Sequence, residues 1–131
     1  MKKLLLVPAL MLAFFFSTIS SVSAADVWVD HWDSENIDIY VVDDTISRKA
    51  ADSTHFSAVV KEVRNGRLIN QQVWLYSKYE TDFWRYQTAG MRKGKNGIGH
   101  SSPVYGTPNR IFEYCADSLG IYYSNNNGYY Y

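Results

Sequence analysis

The residue types that could carry catalysis in this sequence lack the spacing that each kind of chemistry needs. Asp30, His31 and Asp33 are metal-ligand types, but neighbouring residues of a strand point to opposite faces of a sheet. His100 precedes two serines, yet a nucleophilic serine needs a histidine at fixed geometry that is itself oriented by an acid. We therefore predict no metal site and no serine-based active site.

Three further features have simpler structural explanations than chemical ones. Residues 94–97 are rich in Gly and Lys but lack the length and the hydroxyl residue of a phosphate-binding loop. Asp43 and Asp44 are paired carboxylates at the end of a predicted strand, where a turn accounts for them. Cys115 is the only cysteine, and its place on an apolar helix stripe favours burial over nucleophilic catalysis. The sequence thus predicts a protein that is not an enzyme and has no cofactor.

Aromatic and basic residues in the second half of the chain favour a binding function instead. Aromatic rings give large contact areas at low entropic cost, and arginine adds directed hydrogen bonds. If the sheet face that carries them is open, it forms an aromatic-polar binding surface for an extracellular protein or a glycan. If that face is covered, the same rings are ordinary packing. The predicted contact residues are Trp74, Tyr76, Trp84, Arg85 and Tyr86.

The first 24 residues have the layout of a secretory signal peptide. Lys2 and Lys3 precede an apolar run at residues 4–16, and small residues end at Ala24. That run of 13 residues is shorter than the roughly 20 that a spanning helix needs. We expect cleavage, export to the periplasm, the cell surface or the medium, and no membrane span afterwards.

The remaining 107 residues fit one domain, which we assign to residues 25–123. They carry 11 basic and 13 acidic residues, and this slight acidity argues against a nucleic-acid partner. Residues 26–44 contain seven acids and no base, whereas residues 45–110 contain eleven bases and four acids. Such asymmetry can steer a charged partner, but mutual neutralisation of the two segments is the simpler expectation.

Alternating apolar residues predict strands at residues 27–32 and 37–42, and a hairpin joins residues 56–64 to residues 67–76. Asn65 and Gly66 favour a two-residue turn, because both positions need positive φ. An unbroken ladder from that turn places Phe56 opposite Leu75. The expected core face is then Phe56, Ala58, Val60, Ile69, Val73 and Leu75.

A fifth strand is predicted at residues 82–88, then an exposed basic loop at residues 90–103 with Arg92, Lys93 and Lys95. A helix with an apolar stripe follows, with Thr107 as its N-cap and Gly120 at its end. We expect a short strand at residues 121–123 and a loose Asn/Gly/Tyr-rich tail at residues 124–131. The fold class is α+β: a meander of five or six antiparallel strands with one C-terminal helix packed on one face.

Residues 39–46 read Ile-Tyr-Val-Val-Asp-Asp-Thr-Ile. This segment resembles the opening motif of the surface-adhesin protein E-like family of small exported bacterial proteins. The long hairpin, the Trp84-Arg85-Tyr86 strand and the helix with Cys115 extend the resemblance. It implies attachment to host extracellular proteins. The family's helix cysteine usually pairs with one near residues 79–82, where this chain has none.

Two functions follow from these observations. The first is a non-enzymatic binding module of the bacterial envelope, adhesin-like in role, which uses the aromatic-polar face. The alternative is a periplasmic inhibitor or assembly accessory with no host ligand. The sequence leaves the oligomeric state open, including a dimer joined through Cys115.

Overall fold

Six antiparallel strands pair in chain order and form the sheet on which the rest of the molecule packs. The structure is a computed structural model that describes residues 23–50, 52–79, 81–92 and 101–131. The strands are β1 (Asp26–Trp32), β2 (Ile37–Val42), β3 (His55–Arg64), β4 (Arg67–Ser77), β5 (Arg85–Thr88) and β6 (Ser102–Pro103). A 3₁₀ turn, Asp43–Thr45, follows β2, and the short helix α1, Ala89–Arg92, follows β5. The predicted meander is confirmed.

The C-terminal helix α2 (Arg110–Leu119) packs its apolar stripe against one face of this sheet. We call that face the inner face. The N-cap is Asn109, whose side chain accepts from the Phe112 N–H at 3.2 Å, so the prediction of Thr107 was wrong by two residues. Gly120 ends the helix at φ 69°, in the left-handed region that favours glycine, as predicted.

The β3–β4 hairpin turns where the sequence predicts but changes register soon after. Asn65 and Gly66 have φ of 51° and 76°, and Val63 faces Leu68. The next pair is Glu62 with Asn70, which leaves Ile69 as an extra residue on β4. This β-bulge shifts every later pair by one position.

The shift exchanges the two faces of β4, because side chains alternate along a strand. Phe56 faces Tyr76 rather than Leu75, and the two rings stack at 4.8 Å. Val73 and Leu75 are exposed on the opposite, outer face, and Ile69 is exposed at the bulge. The predicted core face was therefore correct on β3, for Phe56, Ala58 and Val60, and wrong on β4.

The core is a cluster of aromatic rings around Phe112 of α2. Phe112 is fully buried, with a relative exposure of 0 %. Ring centroids within 4.8 to 5.8 Å of it belong to Phe56, Tyr76, Trp84, Tyr123 and Tyr130. Aromatic contacts thus bring β3, β4, the helix and the C-terminus into one core.

The last residues close this core and do not form a loose tail. Strands β7 (Asn125–Asn126) and β8 (Tyr129–Tyr130) form a small hairpin. The buried Tyr130 hydroxyl donates to Glu113 Oε2 at 2.8 Å and accepts from the Asn109 N–H at 2.9 Å. Residues 121–123 are not a strand, although Ile121 is buried as a core residue.

Cys115 lies inside the core between α2 and the sheet. Burial, with a smaller effect from the Asp43 charge, raises the pKa of its thiol to about 12. A buried thiol that stays protonated is a poor nucleophile. A disulfide to a second molecule would therefore require the core to open.

Ion pairs join the acidic N-terminal strands to basic residues further along the chain. Lys61 Nζ lies 2.9 Å from Asp26 Oδ2, and Arg110 Nε lies 3.8 Å from Asp30 Oδ1. The predicted signal peptide, apart from its last two residues, lies outside the described residues, as do Lys93 and Lys95 of the predicted basic loop. Within the described residues, no helix has the length and apolarity needed to cross a membrane.

The position of Phe112 predicts a large loss of stability when its ring is removed. Phe112→Ala should lower the free energy of unfolding by about 3–5 kcal/mol, because it leaves a cavity among five rings. Tyr122→Ala is the matched control: Tyr122 is 97 % exposed, so its loss should change stability by less than about 0.5 kcal/mol. Urea unfolding followed by circular dichroism measures both, and equal effects would contradict this description of the core.

Candidate functional site

The structure separates the five residues predicted to form a binding surface. Tyr76 and Trp84 are only 2 % and 1 % exposed, so the prediction of a solvent-facing contact was wrong for both. The bulge at Ile69 turns Tyr76 inward. The Trp84 ring is covered by Phe56 and Phe112, with centroids 5.3 and 5.4 Å away, and its backbone N–H donates to the Tyr130 carbonyl at 2.8 Å. These two residues form part of the core.

Arg85 lies on the outer face, away from the other four. It pairs with Ser77 across β4 and β5, and its guanidinium carbon is 4.6 Å above the Phe83 ring. Tyr86, the next residue, points to the inner face because side chains alternate along the strand. The predicted Arg85–Tyr86 surface is therefore divided between two faces.

Trp74 and Tyr86 remain together and line a cleft beside the start of α2. Their rings stack with centroids 5.0 Å apart and an interplanar angle of 13°. The cleft has a volume of about 360 Å³. We call it the aromatic cleft, and its aromatic and proline lining is Trp32, Trp74, Tyr86, Pro103, Tyr105 and Pro108.

A second β-bulge brings Trp32 into the aromatic cleft. Trp28 faces Tyr40 but Asp30 faces Ile39, which leaves Val29 as an extra residue on β1. Trp32 then faces Ile37, whose side chain is buried on the inner face. Sequence reasoning missed Trp32 and Tyr105, because neither bulge nor the approach of β1 to α2 has a local sequence signal.

Two polar side chains that line the aromatic cleft already have partners within the protein. Asp30 Oδ1 accepts from the His31 N–H at 2.8 Å and lies 3.8 Å from Arg110 Nε. The Asn109 side chain caps α2 through its oxygen. The rest of the lining is mainly ring faces and proline surface, and among the described residues the buried Trp74 Nε1–H has no hydrogen-bond partner.

The histidine that the sequence singled out lies on the outer face and contacts Asp38. His31 Nδ1 and Trp28 Nε1 are each 2.9 Å from Asp38 Oδ1. These two hydrogen bonds, with that of Trp28 the larger effect, hold the pKa of Asp38 below its ordinary value of 3.8. In the described part of the chain, no three His, Cys, Asp or Glu residues form a group that could hold a metal ion.

The lowered pKa of Asp38 predicts that the stability of the protein depends on pH. Because its pKa is lowered in the folded state, the stabilisation is present above the unfolded value of about 3.9 and is lost as pH falls through the lowered folded value. Asp38→Asn should therefore reduce the urea midpoint at pH 6, and the difference from the parent should shrink towards pH 2. Asp44→Asn, at an exposed carboxyl of the 3₁₀ turn, is the control. If the urea midpoints of Asp38→Asn and the parent differ by the same amount at every pH, the lowered pKa of Asp38 would be contradicted.

Comparison of the chain with protein-family models gave no match, and comparisons with curated proteins and with solved structures gave none either. The resemblance to the surface-adhesin protein E-like family stays a prediction from the sequence.

Proposed function

We propose that this protein is an exported, non-enzymatic binding module of the bacterial envelope that holds an extended peptide segment of a protein partner. The observation that carries the proposal is the aromatic cleft. Four aromatic rings from β1, β4, β5 and the segment before α2 converge on one concave site. Rigid aromatic walls of this kind recur at sites where a few side chains of a partner supply most of the binding energy.

The chemistry of the aromatic cleft favours a peptide over a saccharide. A saccharide needs many donors and acceptors for its hydroxyls, but Asp30 Oδ1 and Asn109 Oδ1 already accept bonds from backbone N–H groups. The unpartnered Trp74 Nε1–H could donate to a peptide carbonyl. Proline and aliphatic side chains need only ring faces, and aromatic-lined grooves recognise extended proline-containing segments in this way. Tyr105, exposed at the rim, extends the contact surface beyond the cleft.

The adhesin-like role and the periplasmic role both fit a peptide-binding cleft. The resemblance to the surface-adhesin protein E-like family supports attachment to a host extracellular protein. A periplasmic inhibitor or assembly accessory would use the same cleft on a partner inside the envelope. Protease treatment of intact cells separates these two roles: degradation with a periplasmic control intact supports adhesion, and full protection without release into the medium supports the accessory.

The aromatic cleft can be tested by selecting peptides on the exported protein from a random displayed library. Selected peptides should be rich in proline and aliphatic residues. Trp74→Ala should weaken their binding at least about tenfold, because it removes one wall of the stacked pair. Tyr105→Ala should weaken binding too, and its exposure keeps the core intact. Fluorescence anisotropy of a labelled peptide measures each dissociation constant.

Trp28→Ala is the matched control for these variants. Trp28 is 51 % exposed and does not line the aromatic cleft, so its loss should leave peptide affinity unchanged. Peptides that bind Trp74→Ala and Tyr105→Ala as tightly as the parent would overturn the proposed site. A selection that yields no binding peptide would overturn the peptide-binding function.

A further inference from the structure

A second cleft, larger than the first, lies over the opposite face of the sheet. It has a volume of about 870 Å³, within the range of small-molecule sites. Its floor includes Ser57, Leu75 and Ser77, which alternate with inward-facing Phe56 and Tyr76 and so belong to the outer face. We call this the polar cleft.

Two cationic residues, Arg48 and Lys49, line one side of the polar cleft, and backbone hydrogen bonds hold the chain beside them. Ser47 and Ser57 exchange backbone hydrogen bonds of 3.0 and 2.9 Å, which attaches the chain before Arg48 and Lys49 to β3. Arg48 Nη1 donates to the Asp52 carbonyl at 3.4 Å. The ion pairs of the described residues include neither Arg48 nor Lys49. No described carboxylate therefore neutralises their charge.

The carboxylate of Asp52, an acidic residue that lines the polar cleft, interacts with Thr54 and His55 and not with the two cations. Asp52 Oδ1 accepts from the Thr54 N–H at 2.7 Å and from its hydroxyl at 2.8 Å, and Oδ2 lies 3.4 Å from His55 Nδ1. The bonds from Thr54 lower the pKa of Asp52, so it is ionised at neutral pH. Among the lining residues that the structure describes, one carboxylate faces the two cations Arg48 and Lys49, which gives an excess of positive charge.

The remaining lining fits a polyhydroxyl ligand. Ser47, Ser57 and Ser77 supply hydroxyls that can both donate and accept, and those of Ser47 and Ser57 bond to each other at 3.4 Å. The exposed Tyr79 ring and Leu75 supply apolar surface for the carbon-bound hydrogens of a sugar ring. This mixture contrasts with the aromatic cleft, whose lining is mostly aromatic and proline side chains.

We infer that the polar cleft binds an oligosaccharide that carries carboxylate or sulfate groups. Arg48 and Lys49 would form ion pairs with the ligand's carboxylates or sulfates. The serine hydroxyls would hydrogen-bond the sugar hydroxyls, and the Tyr79 ring would stack on a sugar face. Uronate and sulfated saccharides share this chemistry. This site is independent of the peptide-binding function, because the two clefts lie on opposite faces and share no lining residue.

Calorimetry of the exported protein with tetragalacturonate tests the inference. The fully methyl-esterified tetrasaccharide is the ligand control, since it keeps the sugar and removes the charge. We expect the acidic form to bind at least about tenfold more tightly than the ester. A heparin-derived tetrasaccharide distinguishes the two anion sources: tighter binding than tetragalacturonate identifies sulfate as the preferred group.

The double variant Arg48→Gln/Lys49→Gln should weaken binding of the acidic tetrasaccharide at least about tenfold. Arg64→Gln/Arg67→Gln removes the same charge at the hairpin tip and should leave affinity within about twofold. The four substituted side chains are exposed, so we expect both double variants to fold. A urea midpoint near that of the parent would confirm this for each variant.

Four results would overturn the inference. The first is an absence of binding by both acidic saccharides, and the second is equal affinity for the methyl ester. The third is an equal loss in the hairpin-tip variant, which would indicate diffuse electrostatic attraction. The fourth is tighter binding of tetraglutamate than of either saccharide, which would assign the cleft to acidic peptides.

Discussion

The extra residue at Ile69 sets the register of β4, and through it decides which side chains of β4 reach the core. Without this bulge, Tyr76 and Trp74 would face outward, and Leu75 and Val73 would face α2. Large aromatic side chains bury about 150–250 Å² each, and burial contributes about 25 cal/mol per Å². The observed register therefore turns the larger side chains inward in place of the smaller ones, and it supplies Tyr76, one of the rings that surround Phe112.

Local signals in the sequence predict the elements but not how they pair. The Asn65–Gly66 turn, strand β2 and the end of α2 at Gly120 follow from φ preferences and alternation, and all three are observed. The register of β4 is decided by which rings fit against α2, a tertiary effect with no local signature. The same limit explains Tyr130, which the sequence places in a tail although its hydroxyl bridges Glu113 and Asn109.

The candidate sites follow from the two bulges as much as from composition. The bulge in β4 directs Trp74 to the inner face, and the bulge in β1 brings Trp32 beside it, so the aromatic cleft exists only in this register. The same exchange leaves Leu75 on the outer face as part of the polar cleft. One sheet thus presents two surfaces of different chemistry, and the proposed peptide and saccharide ligands match them separately.

Nuclear Overhauser measurements on the isotopically labelled protein test the register of β4 most directly. The observed register predicts strong contacts between the ring protons of Phe56 and Tyr76, whose centroids are 4.8 Å apart, and between those of Tyr76 and Phe112. It predicts none between the Phe56 ring and the Leu75 methyl groups. Contacts from Phe56 to the Leu75 methyls, with a solvent-exposed Tyr76 ring, would show an unbroken hairpin ladder and contradict both the core and the aromatic cleft.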